Sequence, residues 1–217
     1  GGELSSEGQV VVFASWASNL VPGDTNEKDD VFVHDRATGE TERVSVGFDG
    51  GEADGNSGSL EGSREMPAAV SSDGQLVVFE SRASTLVAGD TNGALDVFLH
   101  DRATGETERV SVHSDGTQGD DWSGDPSTSD TGRYVAFSSD ATNLVENDWN
   151  GRSDIFVHDR RTGKTERVSK RSNGTEGNGS SFDPSISGEG RYVAFTSMAT
   201  NLVDNDTNAE DDVFVHN

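Results

Sequence analysis

Val31-Phe32-Val33-His34-Asp35 recurs as Val97-Phe98-Leu99-His100-Asp101 and as Ile155-Phe156-Val157-His158-Asp159, and the chain ends on Val213-Phe214-Val215-His216-Asn217. The spacings are 66, 58 and 58 residues. A second marker moves in step: Phe13, Phe79, Phe137 and Phe195 each close an apolar run such as Arg191-Tyr192-Val193-Ala194-Phe195. Two markers with one spacing define a repeated unit, and internal repeats point to solenoids, propellers or arrays. The units run over 1–46, 47–112, 113–170 and 171–217.

Within a unit, four- to six-residue apolar runs alternate with turn residues, and nowhere do apolar residues recur at helical spacing. In the third unit Pro126–Ser129 reads as a short extended lead-in, Tyr134–Ser138 as the second strand, Asp154–Asp159 as the third and Thr165–Ser169 as the last. The turn between the last two places Gly163 where a three-residue hairpin loop needs a left-handed residue. Each unit is therefore expected to be four antiparallel strands. Val31-Phe32-Val33 and Val10-Val11-Val12-Phe13 are apolar on consecutive residues, which predicts burial on both faces of the sheet. Sheets stacked face to face about an axis satisfy that, so the expected fold is an all-β propeller of four repeats of about 58 residues. A β-solenoid is the competing fold; its coils are usually shorter and lack such hairpin turns.

Pro184-Ser185-Ile186-Ser187-Gly188-Glu189-Gly190-Arg191-Tyr192-Val193-Ala194-Phe195 and Val70-Ser71-Ser72-Asp73-Gly74-Gln75-Leu76-Val77-Val78-Phe79 resemble the strand-turn-strand core of TolB-like propeller repeats, over nearly the whole chain. Two departures stand out: an acidic loop between the second and third strands, and a Gly/Ser-rich loop between blades. The resemblance implies the fold and leaves function open. It also implies an incomplete array. The first unit opens at Leu4-Ser5-Ser6-Glu7-Gly8, equivalent to Ile186–Gly190, with little of an innermost strand, and the fourth stops at Asn217 before an outermost one. An open strand edge recruits another strand, which predicts self-association through the last blade, or pairing with another protein; the competing reading is that residues outside these 217 belong to a longer array that finishes the blade itself.

Sixteen Lys plus Arg against forty Asp plus Glu give a net charge of −24. A polyanion of this strength cannot release counterions from phosphates, which excludes nucleic acid and anionic membrane surfaces as partners. The absence of cysteine excludes disulfides, zinc thiolates and thiol chemistry. No apolar run approaches the roughly 20 residues of a membrane-spanning helix, and no signal peptide opens the chain. A soluble, secreted or periplasmic protein is expected.

Each unit carries Asp-x-Asn-x-x-x-Asp between its second and third strands: Asp24/Asn26/Asp30, Asp90/Asn92/Asp96, Asp148/Asn150/Asp154 and Asp206/Asn208/Asp212. Oxygen side chains at relative positions 1, 3 and 7 of a tight loop can converge on calcium, with backbone carbonyls completing six to eight ligands. The pattern resembles the short calcium loops of integrin-alpha-type propellers without their central carboxylate, position 5 being Lys28, Ala94, Arg152 or Glu210. One calcium per loop is one reading; Asx-turns that merely shape the loop are the other.

His34, His100, His158 and His216 share one strand position and read as hydrogen-bonded packing residues. The chain carries no serine elbow, His-Glu-x-x-His or phosphate loop, and no carboxylate pair stands out for glycoside hydrolysis. Trp16, Trp122 and Trp149 break the repeat and could stack on sugars at one or two unique sites. Asn173-Gly174-Thr175 and Asn178-Gly179-Ser180 match the glycosylation sequon and are read as loop residues. The expected function is a non-enzymatic, extracellular, calcium-binding scaffold, adhesion module or filament subunit. A lectin-like propeller is the alternative, with a hydrolase behind it.

Overall fold

The computed structural model describes residues 2–58, 68–208 and 210–217. All fifteen regular elements are strands, in four antiparallel sheets whose strand order follows the sequence. The first blade comprises β1 (Glu3–Leu4), β2 (Val10–Ser15), β3 (Asp30–Asp35) and β4 (Thr41–Arg43). The second comprises β5 (Ala68–Val70), β6 (Leu76–Ser81), β7 (Asp96–Asp101) and β8 (Glu106–Arg109). The third comprises β9 (Ser123–Thr128), β10 (Tyr134–Ser139), β11 (Asp154–Asp159) and β12 (Lys164–Arg167). The fourth has three strands: β13 (Ser181–Ile186), β14 (Val193–Ser197) and β15 (Asp212–His216). The fold is the all-β propeller expected from the repeat, with the last blade incomplete.

Register follows the two sequence markers. In every blade the phenylalanine of the second strand faces that of the third, as Phe13↔Phe32, Phe79↔Phe98, Phe137↔Phe156 and Phe195↔Phe214, with ring centroids 5.8–6.2 Å apart. The buried apolar side chains form three clusters, one at each junction between consecutive blades. Val31 and Val33 of the first blade join Val77 and Phe79 of the second; Val97 and Leu99 join Val135 and Phe137; Ile155 joins Ile186, Val193 and Phe195. Burial of both sheet faces, predicted from the consecutive apolar residues, holds for β3, β7 and β11, whereas in β2 Val10 and Val12 are buried and Val11 and Phe13 on the other face are only half-buried. Each such valine or phenylalanine contributes about 1.5–3 kcal/mol when fully buried.

The inner turns also bind blade to blade. Ser6 N–H donates to Ser72 O at 3.2 Å, Ser72 N–H to Asp130 O at 2.8 Å and Asp130 N–H to Gly188 O at 2.9 Å, a bond that repeats at every junction. The glycine of each such turn sits on the side chain that opens the second strand of the preceding blade: Gly74 on Val10, Gly132 on Leu76 and Gly190 on Tyr134.

Two local features differ from the sequence reading. The innermost strand of the third blade begins at Ser123, not Pro126, because Asp125 takes a left-handed conformation (φ 50°) and the strand continues through a bulge. The outermost strand there is Lys164–Arg167. In the longer second repeat the extra residues fall in sequence between Ser57 and Ser81. Ser57 bonds Ser81 24 residues on, whereas Ser123 and Ser181 bond Ser139 and Ser197 only 16 residues on. Among the described residues no helix is long and apolar enough to cross a membrane.

Candidate functional site

Each acidic loop joins the second and third strands, so its Asp pair flanks the start of the third strand. In the first blade Asn26 orders the loop: its Oδ1 accepts Lys28 N–H at 3.0 Å, and its Nδ2 donates to Asp30 Oδ2 at 2.9 Å and to Ala53 O at 3.2 Å. A backbone N–H can only donate, so the first bond fixes which side-chain atom is the oxygen. Asn92 and Asn150 repeat the arrangement with Ala94 and Asp96, and with Arg152 and Asp154.

The outermost strand brings an arginine into this loop. Arg43 Nη1 lies 3.4 Å from Asp24 Oδ1, 3.3 Å from Asp30 Oδ2 and 2.9 Å from Glu52 Oε1. Arg109 Nη1 lies 3.1 Å from Asp90 and 3.3 Å from Asp96. Arg167 Nη1 lies 3.1 Å from Asp148, 3.2 Å from Asp154 and 3.0 Å from Glu176. The contact with Asp148 Oδ1 is ionic in character, since that oxygen accepts no aligned hydrogen bond. Two residues beyond each arginine a serine completes the set. Ser45 Oγ donates to Asp30 Oδ1 at 2.5 Å, Ser111 Oγ to Asp96 Oδ1 at 2.6 Å, and Ser169 Oγ to Asp154 Oδ1.

These carboxylates are almost fully enclosed, and their ionisation shows it. Burial, reinforced by the charge of its Asp partner, pushes Asp24 and Asp90 above the ordinary carboxylate range, and Asp148 up to about 6 against the opposing pull of Arg167. Burial likewise raises Asp154. Glu52 moves the other way, to about 2, because the Thr25 hydroxyl and N–H donate to it and Arg43 faces it.

Calcium requires six to eight oxygens around one point. In the first three loops the guanidinium contacts both aspartates, and the asparagine turns its NH2 group, not its oxygen, toward the second of them. The residues of these loops do not fit a calcium ion in this arrangement, and among the described residues no three His, Cys, Asp or Glu side chains are placed to hold a metal. Asn26, Asn92 and Asn150 each form an Asx-turn, the side-chain oxygen accepting the N–H two residues on. The fourth loop shares the asparagine geometry, with Asn208 Nδ2 3.1 Å from Asp212 Oδ2 and Asn208 Oδ1 accepting Glu210 N–H at 3.2 Å. It differs in that no described strand pairs with the outer side of β15. Among the described residues neither Asp206 nor Asp212 has an arginine or lysine partner.

The sequence reading named the aspartates and missed the arginines. Their signal was present: Glu-Arg-Val-Ser recurs at 42–45, 108–111 and 166–169 with the spacing of the other markers. An arginine on an outer strand reads as a solvated residue, however, and only the pairing of Phe32 with Arg43 places it over the loop.

The histidines are packing residues: His34, His100 and His158 Nδ1 each lie 2.9 Å from the hydroxyl of Thr41, Thr107 or Thr165. Burial lowers the pKa of His100 and of His158. Trp16 and Trp149 are exposed at 73% and 79%. Trp122 is half-buried, its ring lying beside Gly124 and the enclosed carboxyl of Glu80.

No family model and no curated protein matches the sequence. Solved structures similar in fold include TolB from Acinetobacter baumannii (TM-score 0.53, 16% identity), covering 92% of this chain and 38% of that one. A putative TolB from Agrobacterium tumefaciens (0.55, 15%) covers 98% of this chain and 58% of that one. An oligogalacturonate lyase in complex with manganese (0.56, 14%) covers 93% and 47%. The chain thus spans less than two thirds of each of these proteins, and the likeness at such identities establishes the propeller fold alone.

Proposed function

We propose that the chain is a non-enzymatic propeller module of the cell exterior, secreted or periplasmic, that works as a scaffold, adhesion or filament subunit by joining its terminal blades to neighbouring molecules. The observation that supports this is the contrast between internal and terminal blade faces. Val31 and Val33 are fully buried under the second blade, whereas their equivalents in the fourth, Val213 and Val215, are 75% and 67% exposed. At the opposite end Leu4 is 56% exposed. Contiguous exposed apolar faces of this kind mark interaction surfaces.

The two ends are complementary by repetition. A second copy placed head to tail would set its Gly8 on Tyr192 as Gly190 sits on Tyr134, and Gly188 N–H would donate to its Ser6 O as Asp130 N–H donates to Gly188 O. Such a heterologous contact builds a ring if its rotation closes and a filament if it does not. The −24 charge opposes it, so association should strengthen as salt screens the repulsion. Sedimentation velocity across concentration and salt tests the reading. A salt-promoted series of oligomers that Val215→Glu abolishes supports it, and a monomer under all conditions overturns it.

A second reading, a lectin-like module, is favoured by the exposure of Trp16 and Trp149, since flat aromatic faces bind sugar rings. Glycan-array binding lost in Trp149→Ala would support it; no binding to any glycan would reject it.

A further inference from the structure

In the first three blades the free side of the third strand is covered by a fourth strand of one pattern. Arg43, Glu42 and Thr41 pair with Phe32, Val33 and His34; Arg109, Glu108 and Thr107 with Phe98, Leu99 and His100; Arg167, Glu166 and Thr165 with Phe156, Val157 and His158. The next valine then donates its N–H to the first residue's carbonyl, as Val44 to Val31 O at 2.9 Å, and the serine hydroxyl accepts that residue's N–H, as Ser45 Oγ from Val31 at 3.1 Å. β15 presents the same residues, Val213, Phe214, Val215 and His216, and no described strand pairs with its outer side.

The receiving half is already formed. Asn208 holds Asp212 as Asn26 holds Asp30, and a recess of about 450 Å3 opens between Asp206, Asn208, Asp212 and Phe214, where the other blades seat a guanidinium. Asp212 is partly exposed, whereas Asp30, Asp96 and Asp154 are fully buried beneath their arginine and serine. The threonine that meets each of the other three histidines has no counterpart beside His216 among the described residues.

We propose that the outer edge of β15 binds an extended peptide strand of the pattern Thr-Glu-Arg-Val-Ser, antiparallel. Its arginine enters the recess between Asp206 and Asp212, and its serine hydroxyl donates to Asp212. Edge pairing supplies main-chain hydrogen bonds, and the buried guanidinium supplies selectivity, as in other strand-addition sites. The three described strands of this pattern are committed to their own blades, so none of them occupies this edge. This edge is distinct from the apolar face proposed above to stack on a neighbouring copy, and either contact can exist without the other.

The test titrates fluorescently labelled Glu-Thr-Glu-Arg-Val-Ser-Val with the whole chain at physiological salt, following anisotropy, with amide exchange read at Val213 and Val215. The expected result is saturable binding of one peptide per chain, slower exchange at both valines, and at least about tenfold weaker binding when the peptide arginine is replaced by glutamine. Asp206→Asn and Asp212→Asn in the protein should weaken the arginine peptide to a similar degree and leave the glutamine peptide little changed. Absence of saturable binding, or equal binding of the arginine, glutamine and scrambled peptides, overturns the proposal. The peptide substitution requires no variant protein to fold. Sedimentation of the same samples reports face stacking separately, so failure of one contact is not mistaken for failure of the other.

Discussion

Arg109 Nη1 lies 3.1 Å from Asp90 Oδ1, joining the outermost strand of its blade to the loop that precedes the third strand. Both side chains are under 10% exposed, so the pair is not one of the solvated surface contacts that contribute little. Desolvation has been incurred on both sides, and the second carboxylate, Asp96, depends on the same guanidinium. The outermost strand and the loop are thus tied through one cation, supplied by the protein itself.

Removing that cation leaves two enclosed carboxylates facing one another. Arg109→Met should therefore destabilise the fold by about 3–5 kcal/mol, the usual consequence of breaking a buried ion pair from one side. Arg109→Lys should recover only part of the loss, because an ammonium is more strongly hydrated than a guanidinium and is more costly to enclose. Arg109→Met with Asp90→Asn should be more stable than Arg109→Met alone. Urea unfolding of the three variants measures this, and wild-type stability in Arg109→Met would show that the guanidinium is not what closes the loop.

The same geometry predicts the response to divalent cations. A site holding calcium at one hundred times its dissociation constant would stabilise the fold by about 2.7 kcal/mol. In a chain of this size that is a rise of roughly 5–10 °C in Tm. With arginine already in contact with both aspartates in the first three loops, melting curves in calcium and in chelator should coincide. A calcium-dependent rise of several degrees would mean that the ion displaces the arginines, returning the loops to the ligand role expected from the sequence alone.

Glu80 gives the stability a pH dependence of its own. It is fully buried in β6, one carboxylate oxygen has no hydrogen-bond partner, and burial raises its pKa to about 8 against a small opposing pull from the Asp125 N–H. The folded state therefore binds a proton that the unfolded chain releases near pH 4.5. Its contribution is intact below pH 4.5, declines by up to about 1.4 kcal/mol per pH unit above it, and is gone once pH passes about 8. Asp148, raised to about 6, acts in the same sense over a narrower range. His100 and His158, with lowered pKa values, act in the opposite sense and remove stability on acidification below the ordinary histidine range. Glu80→Gln should flatten the decline between pH 5 and 8 in a series of chemical denaturations. A variant with the wild-type slope would rule Glu80 out as its source.

The fold was legible because its decisive residues repeat. Phe32 and its equivalents carry both the spacing and the cross-strand register, and consecutive apolar residues in β3 announce two buried faces. The loops were legible in position but not in chemistry. Asp24 and Asp30 attract a cation in either reading, and only strand pairing shows that Arg43 lies against both. The start of β9 was missed because Asp125 adopts a left-handed backbone that hydrophobic periodicity does not encode. Glu80 was missed because its equivalents are Ala14, Ser138 and Thr196, and nothing in a strand pattern marks a carboxyl at that position as enclosed.

Two turn glycines separate conformational strain from packing between blades. Gly105, in the hairpin between β7 and β8, has φ +74° and open space where a Cβ would project. Gly105→Ala should cost only the left-handed penalty of about 1–2 kcal/mol. Gly132 has a similar φ of +64°, but its Cβ would lie 2.3 Å from Leu76 Cδ1 and 3.1 Å from Leu76 Cβ, in the junction between the second and third blades. The flexible tip of Leu76 can move, whereas its Cβ moves only with β6, so overpacking should add about 1–3 kcal/mol to the strain. Leu76→Ala in the Gly132→Ala background should relieve part of that excess, and the same leucine substitution should do nothing for Gly105→Ala. Thermal melts of the four proteins decide the matter. Equal penalties for the two alanines would mean that the blades are not held at the separation in which Gly132 rests on Leu76.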